Sequence, residues 1–218
     1  QDFRVLVAGG GGSGGGNGST TGGGAGGAGG VYTSSTETLT VGAKTVSIGG
    51  GAGAASDWGS GGGSSSLGAI SASGGGGGGK GRTGDGTSAG GANGAPTSKS
   101  GAPYSGNDGG GGGGAGANAP GGRTGGAGLS SNISGSSVTY AIGGEGGGYS
   151  DQGGYSSVAG SGGPGAQRTV FSPSVGGRPG LVIVSYQIGV STLAQIKVAQ
   201  TVRKAELRKQ QLEEKALK

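Results

Sequence analysis

The sequence contains no cysteine and no histidine. The first absence excludes a disulfide framework and any zinc or iron–sulfur site built on thiolates. The second removes the commonest general base and metal ligand. Aromatic residues make up only 4% of the 218 residues, and charged residues only 11%. Methionine is absent even at position 1, which points to a processed product or a piece of a longer polypeptide. A run of roughly 18 or more apolar residues, as a membrane-spanning helix needs, is also missing. With large apolar side chains this scarce, an ordinary hydrophobic core does not offset the ordering entropy. That entropy is roughly 1–2 kcal/mol per residue, and more for glycine.

Glycine is what the chain has instead. All 67 glycines lie within residues 9–189, in runs such as 74–79 and 109–114. Low-complexity disorder is the default for such a composition. The ordered alternative takes its stability from the backbone. Lacking Cβ atoms, extended left-handed helices of the polyproline II type can lie with their backbones nearly touching. Such a helix makes no internal hydrogen bonds, so its N–H and C=O groups point outward to neighbouring helices. Each bond made there contributes roughly 1 kcal/mol net. The strict Gly-X-Y period of collagen, which uses the same steric logic at its axis, is absent. We expect the ordered form, with β-rich segments bracketing the glycine region.

The first of these, Phe3-Arg4-Val5-Leu6-Val7, runs straight into Gly9. The second spans 180–188, GLVIVSYQI. Pairing between the two would clamp the body shut. Between them, Leu39-Thr40-Val41 and Thr45-Val46-Ser47-Ile48 alternate with period two across Gly42-Ala43-Lys44, which predicts a β-hairpin. From residue 49 to about 128 the glycine runs read as helices. Isolated interruptions (Asp57-Trp58, Leu67 with Ile70, Lys80, Arg82, Pro103-Tyr104, Asn107-Asp108) read as turns. Residues 129–142, LSSNISGSSVTYAI, recover a strand-like pattern.

Four blocks in this order, VLVAGGGG, LTVGAKTVSIGGGAG, LSSNISGSSVTYAIGGEGGG and GLVIVSY, together resemble the glycine-rich domains of bacteriophage tail-fibre proteins and related bacterial surface proteins. The resemblance covers residues 3–188. It implies a sandwich of polyglycine helices between small β elements, with a role in virion attachment or surface adhesion. In such adhesins the receptor is contacted by aromatic-bearing loops at the end of the helix bundle.

The formal charge is +5, but the tail carries most of it. From Lys197 onward there are seven Lys/Arg against three Asp/Glu, of fifteen and ten in the whole chain. The glycine body is therefore nearly neutral, and we expect no nucleic-acid partner. Residues 191–218 contain no Gly or Pro and are rich in Ala, Lys, Glu, Gln and Leu, which predicts a helix. Ala194, Val198, Val202, Ala205, Leu212 and Ala216 share a face at helical spacing, interrupted by Lys209. A helix this marginal alone is expected to assemble with another chain.

The fold expected is thus a polyglycine II helix bundle, otherwise mostly irregular, with short β-strands and one C-terminal α-helix. Its body is residues 1–189 and its assembly helix 190–218. Trp58, Tyr104, Tyr149 and Tyr155 interrupt glycine-rich sequence where packed helices leave no room for a ring, so they should emerge at turns or at the rim. There they serve as receptor or partner contacts, or cap the bundle. Val198, Val202, Ala205 and Leu212 are the expected assembly residues.

Catalytic, cofactor and metal sites are not expected. Gly79-Lys80-Gly81 lacks the Ser/Thr and following helix of a phosphate-binding loop. The acids of Asp85-Gly86, Asn107-Asp108-Gly109 and Glu145 are too scattered for calcium. The expected role is a virion attachment component, localised to a tail fibre or a cell surface and self-associating as a trimer or filament. Further contacts with other virion proteins and a host receptor are expected. The alternative is the repeating subunit of an extracellular filament or surface layer.

Overall fold

The computed structural model describes residues 2–16, 22–80, 108–154, 156–167, 174–186, 196–198 and 200–204. The chain divides into two units, Gln1–Ser185 and Tyr186–Lys218.

The first unit is organised on strand β1, Phe3–Ala8, which lies between β2, Val31–Glu37, and β8, Leu181–Tyr186. The two β-rich ends of the body thus meet in one sheet. β1 and β2 are antiparallel, with Leu6 opposite Thr33 and Ala8 opposite Val31, and the register shifts between Phe3 and Val5. Val5, Leu6, Val7 and Ala8 are all fully buried. A strand covered on both faces reads as an unbroken apolar run, and VLVA, residues 5–8, is that run.

Successive side chains of a strand point to opposite faces, and the core divides accordingly. Leu6 and Ala8 pack with Ala28, Val31, Ile133, Tyr140 and Ala141. Val5 and Val7 pack with Leu67 and Ala72. Two small sheets supply these covers. One is β6, Leu129–Ser131, antiparallel to β7, Val138–Tyr140. The other joins β3, Val46–Ser47, to the hairpin of β4, Ser65–Leu67, and β5, Ile70–Ala72.

Two sequence expectations are corrected here. Residues 39–41 do not pair with 45–48: Val46 lies opposite Leu67, and Ser47 opposite Ser66. The exposed strand 46–47 is held by the hairpin whose Leu67 and Ala72 are buried against β1. Val41 stays solvent-exposed beside Gly42, whose φ is 122°. Leu67 and Ile70 are likewise not turn residues. Leu67 ends β4 and Ile70 opens β5, and the turn is Gly68-Ala69 between them, with Gly68 at φ 58°.

The glycine runs leave the sheet from Ala8 onward, and their hydrogen bonds repeat every three residues. Gly9, Gly12 and Gly15 donate to the carbonyls of Gly30, Gly27 and Gly24; Gly10, Ser13 and Gly16 donate to Gly63, Ser60 and Asp57; Gly11 and Gly14 donate to Arg178 and Val175. Further runs donate to run 9–16 in turn: Gly75 and Gly78 to Gly10 and Ser13, Gly163 and Ala166 to Gly12 and Gly15, and Ala52 to Gly11. Residues 22–30 repeat the pattern. Gly23, Gly26 and Gly29 donate to Ala166, Gly163 and Gly160, and Gly24, Gly27 and Gly30 to Gly79, Gly76 and Ser73. Ala25 and Ala28 donate to Gly110 and Gly113. Residues 9–16 and 22–30 are buried throughout, so these bonds satisfy backbone groups that would otherwise be costly to bury.

The spacing between runs admits no side chain at most of these glycines. A Cβ on Gly12, Gly26, Gly75 or Gly111 would lie within 3.0 Å of a neighbouring run's backbone. Where side chains do occur inside, they are small and complete the bonding. Ser13 Oγ accepts from Ser60 N at 2.9 Å, and Ser161 Oγ from Ile142 N at 3.2 Å. Ser174 Oγ donates to Gly14 O at 2.5 Å and accepts from Ala55 N at 3.1 Å. No buried side-chain N or O among the described residues lacks a partner.

In the second unit, residues 196–198 and 200–204 are helical. Thr201 Oγ1 donates to the carbonyl of Lys197 at 2.9 Å, and Ile196, Val198 and Val202 are exposed.

Candidate recognition end of the glycine body

The runs give the first unit two ends. Gly9 bonds Gly30 beside the sheet, whereas Gly16, at the other end of the same run, bonds Asp57. Gly15 bonds Gly24, which bonds Gly79, and Gly23 bonds Ala166 and accepts from Gly147. Residues 16, 57, 79, 147 and 166 are thereby brought together at the end remote from the strands. The sequence stations that long intervals separate thus share one surface.

Trp58 stands there, 62% exposed, on the bend 56–58. Beside it, Lys80 Nζ pairs with Asp57 Oδ1 at 2.6 Å. Tyr149 opens the bend 149–151 and is 54% exposed. Trp58 and Tyr149 therefore occupy the same end on separate runs. Tyr104 and Tyr155 lie outside the described residues. Of the four assembly residues, Val198 and Val202 are exposed one helical turn apart; Ala205 and Leu212 lie outside the described residues.

The segment carrying Tyr149 is closed at its base. Glu145 N donates to Gly154 O at 3.1 Å, and Gly154 N donates back to Glu145 Oε2 at 2.8 Å. Within the loop, Gly148 N donates to Asp151 O at 2.9 Å.

Arg123 reaches into this loop from another run. Its Nε donates to Gly146 O at 2.9 Å, and its two terminal nitrogens donate to Asp151 Oδ1 and Oδ2 at 3.1 and 2.7 Å. Glu145 Oε1 lies 3.8 Å from the same guanidinium. The hydrogen bond to Asp151 raises the Arg123 pKa, helped by the nearby charges and opposed by partial burial. The same bond holds the Asp151 carboxyl below its ordinary range. A Cβ on Gly148 would meet the side-chain ends of Asp151 and Arg123, so this ion pair sits directly against the loop's backbone.

Sequence reasoning missed this cluster. Arg123, Glu145 and Asp151 are single charges in glycine-rich surroundings, and no spacing rule joins them. Glu145, considered and set aside as a calcium ligand, partners Arg123 and Gly154 N instead. Among the described residues no group of three or more acids is arranged to hold a metal ion. Nor, among them, is any helix long and apolar enough to cross a membrane.

At the sheet end, a shallow groove of about 380 Å³ is lined by Phe3, Thr38, Leu39, Thr40, Val41, Gly42 and Lys44. Its walls offer one cation and no carboxylate, so it carries no acid–base pair.

Searches of curated proteins and of solved structures each found no match. A family model does match, over residues 1–187: the glycine-rich domain. That span takes in β1, β8, every described glycine run and the Arg123 cluster, and the chain belongs to the glycine-rich domain family.

Proposed function

We propose that the chain is a structural virion component of the tail-fibre or attachment type, in which a rigid body of polyglycine II helices presents loops to a host surface. The observation that carries this reading is the three-residue repeat of bonds between runs, with exposed aromatics gathered at the end remote from the sheet. A left-handed helix of three residues per turn has that repeat. Positive φ values among the described glycines are confined to Gly42, Gly68, Gly121, Gly122, Gly135 and Gly160, outside runs 9–16 and 22–30, in keeping with such helices.

The reading is non-catalytic, for the chain has neither histidine nor cysteine. Rigidity fits presentation: a preordered surface loses less entropy on binding, and exposed Trp and Tyr give contact area at small conformational cost. The partners are copies of the chain, other virion proteins and a host receptor, and the place of action is the virion or a cell surface.

The test is binding of the fluorescently labelled protein to a panel of intact bacterial cells. Retention on some strains, lost in Trp58→Ala or Tyr149→Ala with thermal stability unchanged, is the expected result. Absence of binding across a broad panel, or binding indifferent to both changes, counts against attachment.

The exposed Val198 and Val202, one turn apart, favour a second reading as the subunit of an extracellular filament or surface layer. Filaments visible by electron microscopy that disappear on removal of residues 190–218 would support it.

A further inference from the structure

We propose that Arg123 is the positioning residue of the Tyr149 loop, fixing from a separate run the conformation in which that loop meets a partner. The proposal rests on the attachment reading for its purpose, but its structural basis stands apart from it.

The loop from Glu145 to Gly154 has few apolar anchors. Its base is closed by the reciprocal Glu145–Gly154 bonds, and Gly153 N donates to Gly165 O at 3.2 Å. Between these, residues 149–152 are exposed. Arg123 reaches both limbs of the loop: Gly146 O on the way out, and Asp151 where the bend ends. A planar guanidinium that engages a carboxylate through two nitrogens fixes its orientation as well as its distance. Tyr149 lies between the two held points, which bound the segment that carries it.

Arg123 is itself well seated. Gly121 and Gly122 before it have φ of 129° and 57°, and Gly121 bridges to Thr124 across the turn. Its neighbours are tied into the body, since Gly146 N donates to Arg123 O and Gly111 N to Gly122 O. The arginine is therefore a fixed post to which an exposed loop is tied.

Hydrogen–deuterium exchange on the full chain tests this. In Arg123→Gln, exchange in a peptide spanning 146–154 is expected to rise by about tenfold, the scale of one charge-assisted bidentate contact. Exchange in residues 3–8 should not change. Asp151→Asn should raise the same peptide's exchange, and the double variant should add little beyond Arg123→Gln, because both remove one interaction. Unchanged exchange in 146–154, or a rise shared equally by residues 3–8, overturns the proposal, as does full additivity of the two changes. On the same panel of intact cells, Arg123→Gln should weaken binding to the degree that Tyr149→Ala does. If Tyr149→Ala and Trp58→Ala both bind normally, the attachment reading fails while the exchange result still decides the role of Arg123.

Discussion

Gly12 donates its N–H to the carbonyl oxygen of Gly27 at 2.9 Å, and three residues further along Gly15 does the same to Gly24. Neither pair involves a side chain, and both are buried. A few apolar residues around β1 make a conventional core, while the body beyond it is joined backbone to backbone. Bonds contributing about 1 kcal/mol each act there in place of the apolar burial the sequence lacks.

Close approach makes a first prediction. Gly111→Val places a branched side chain against the backbone of Thr124 and Arg123. It should cost at least about 1–3 kcal/mol, the usual range for overpacking. Gly53, by contrast, has open space where a Cβ would go and no positive φ. Gly53→Ala should leave stability unchanged or raise it by up to about 1 kcal/mol through the unfolded state. Chemical denaturation of the two variants against the parent measures both.

The apolar centre is small enough for one truncation to matter. Leu6 is fully buried with Val31, Ile133 and Tyr140 in its cluster. Leu6→Ala should cost about 2–5 kcal/mol, read as a shift in the denaturation midpoint. A loss below that range would mean the glycine runs hold the sheet without the help of its core.

Ser174 joins two runs through one hydroxyl, bonded to Gly14 O and Ala55 N. Ser174→Ala leaves those backbone groups short of a partner at a buried position. The expected cost is about 1–3 kcal/mol, and thermal denaturation detects it.

The Arg123–Asp151 pair gives a pH dependence of definite sign. The folded-state pKa of Asp151 is lowered from its ordinary 3.8 by the hydrogen bond to Arg123. Its contribution is therefore fully present above the unfolded value and is lost as pH falls through the lower folded value. Between pH 5 and 8 the loop should show no change from this pair. Release should begin only below about pH 3.8. Carboxyl chemical shifts of Asp151 followed by NMR, with Arg123→Gln returning the midpoint toward 3.8, check both direction and cause.

Much of the sheet was legible because its signal is side-chain hydrophobicity. RVLVA and LVIVSY mark β1 and β8, and residues 129–142 read as strand-like without showing that they fold back as the hairpin of β6 and β7. The pairing of Val46 was misread because two short alternating stretches close in sequence are the usual hairpin. Its actual partner, Leu67, lies in a three-residue strand with two serines, whose place is set by burial against β1. The runs were visible as glycine, but their neighbours were not. A residue without a side chain encodes no register, so the order of the runs draws on the few buried side chains inside, Ser13, Ala28, Ser161 and Ser174 among them, and on the strands that anchor them. The Arg123 tie was invisible for a related reason: its partners are brought close by that order of runs.

Hydrogen bonds between their backbones order the glycine runs. Residue-resolved amide exchange tests this most directly. The N–H groups of residues 9–16 and 23–30, all of which donate to neighbouring runs, should be protected to the same degree as Val5, Leu6 and Val7, while exposed Gly50 and Gly53 exchange rapidly. Exchange across 9–16 and 23–30 at the rates of an unfolded chain, with β1 still protected, would contradict it.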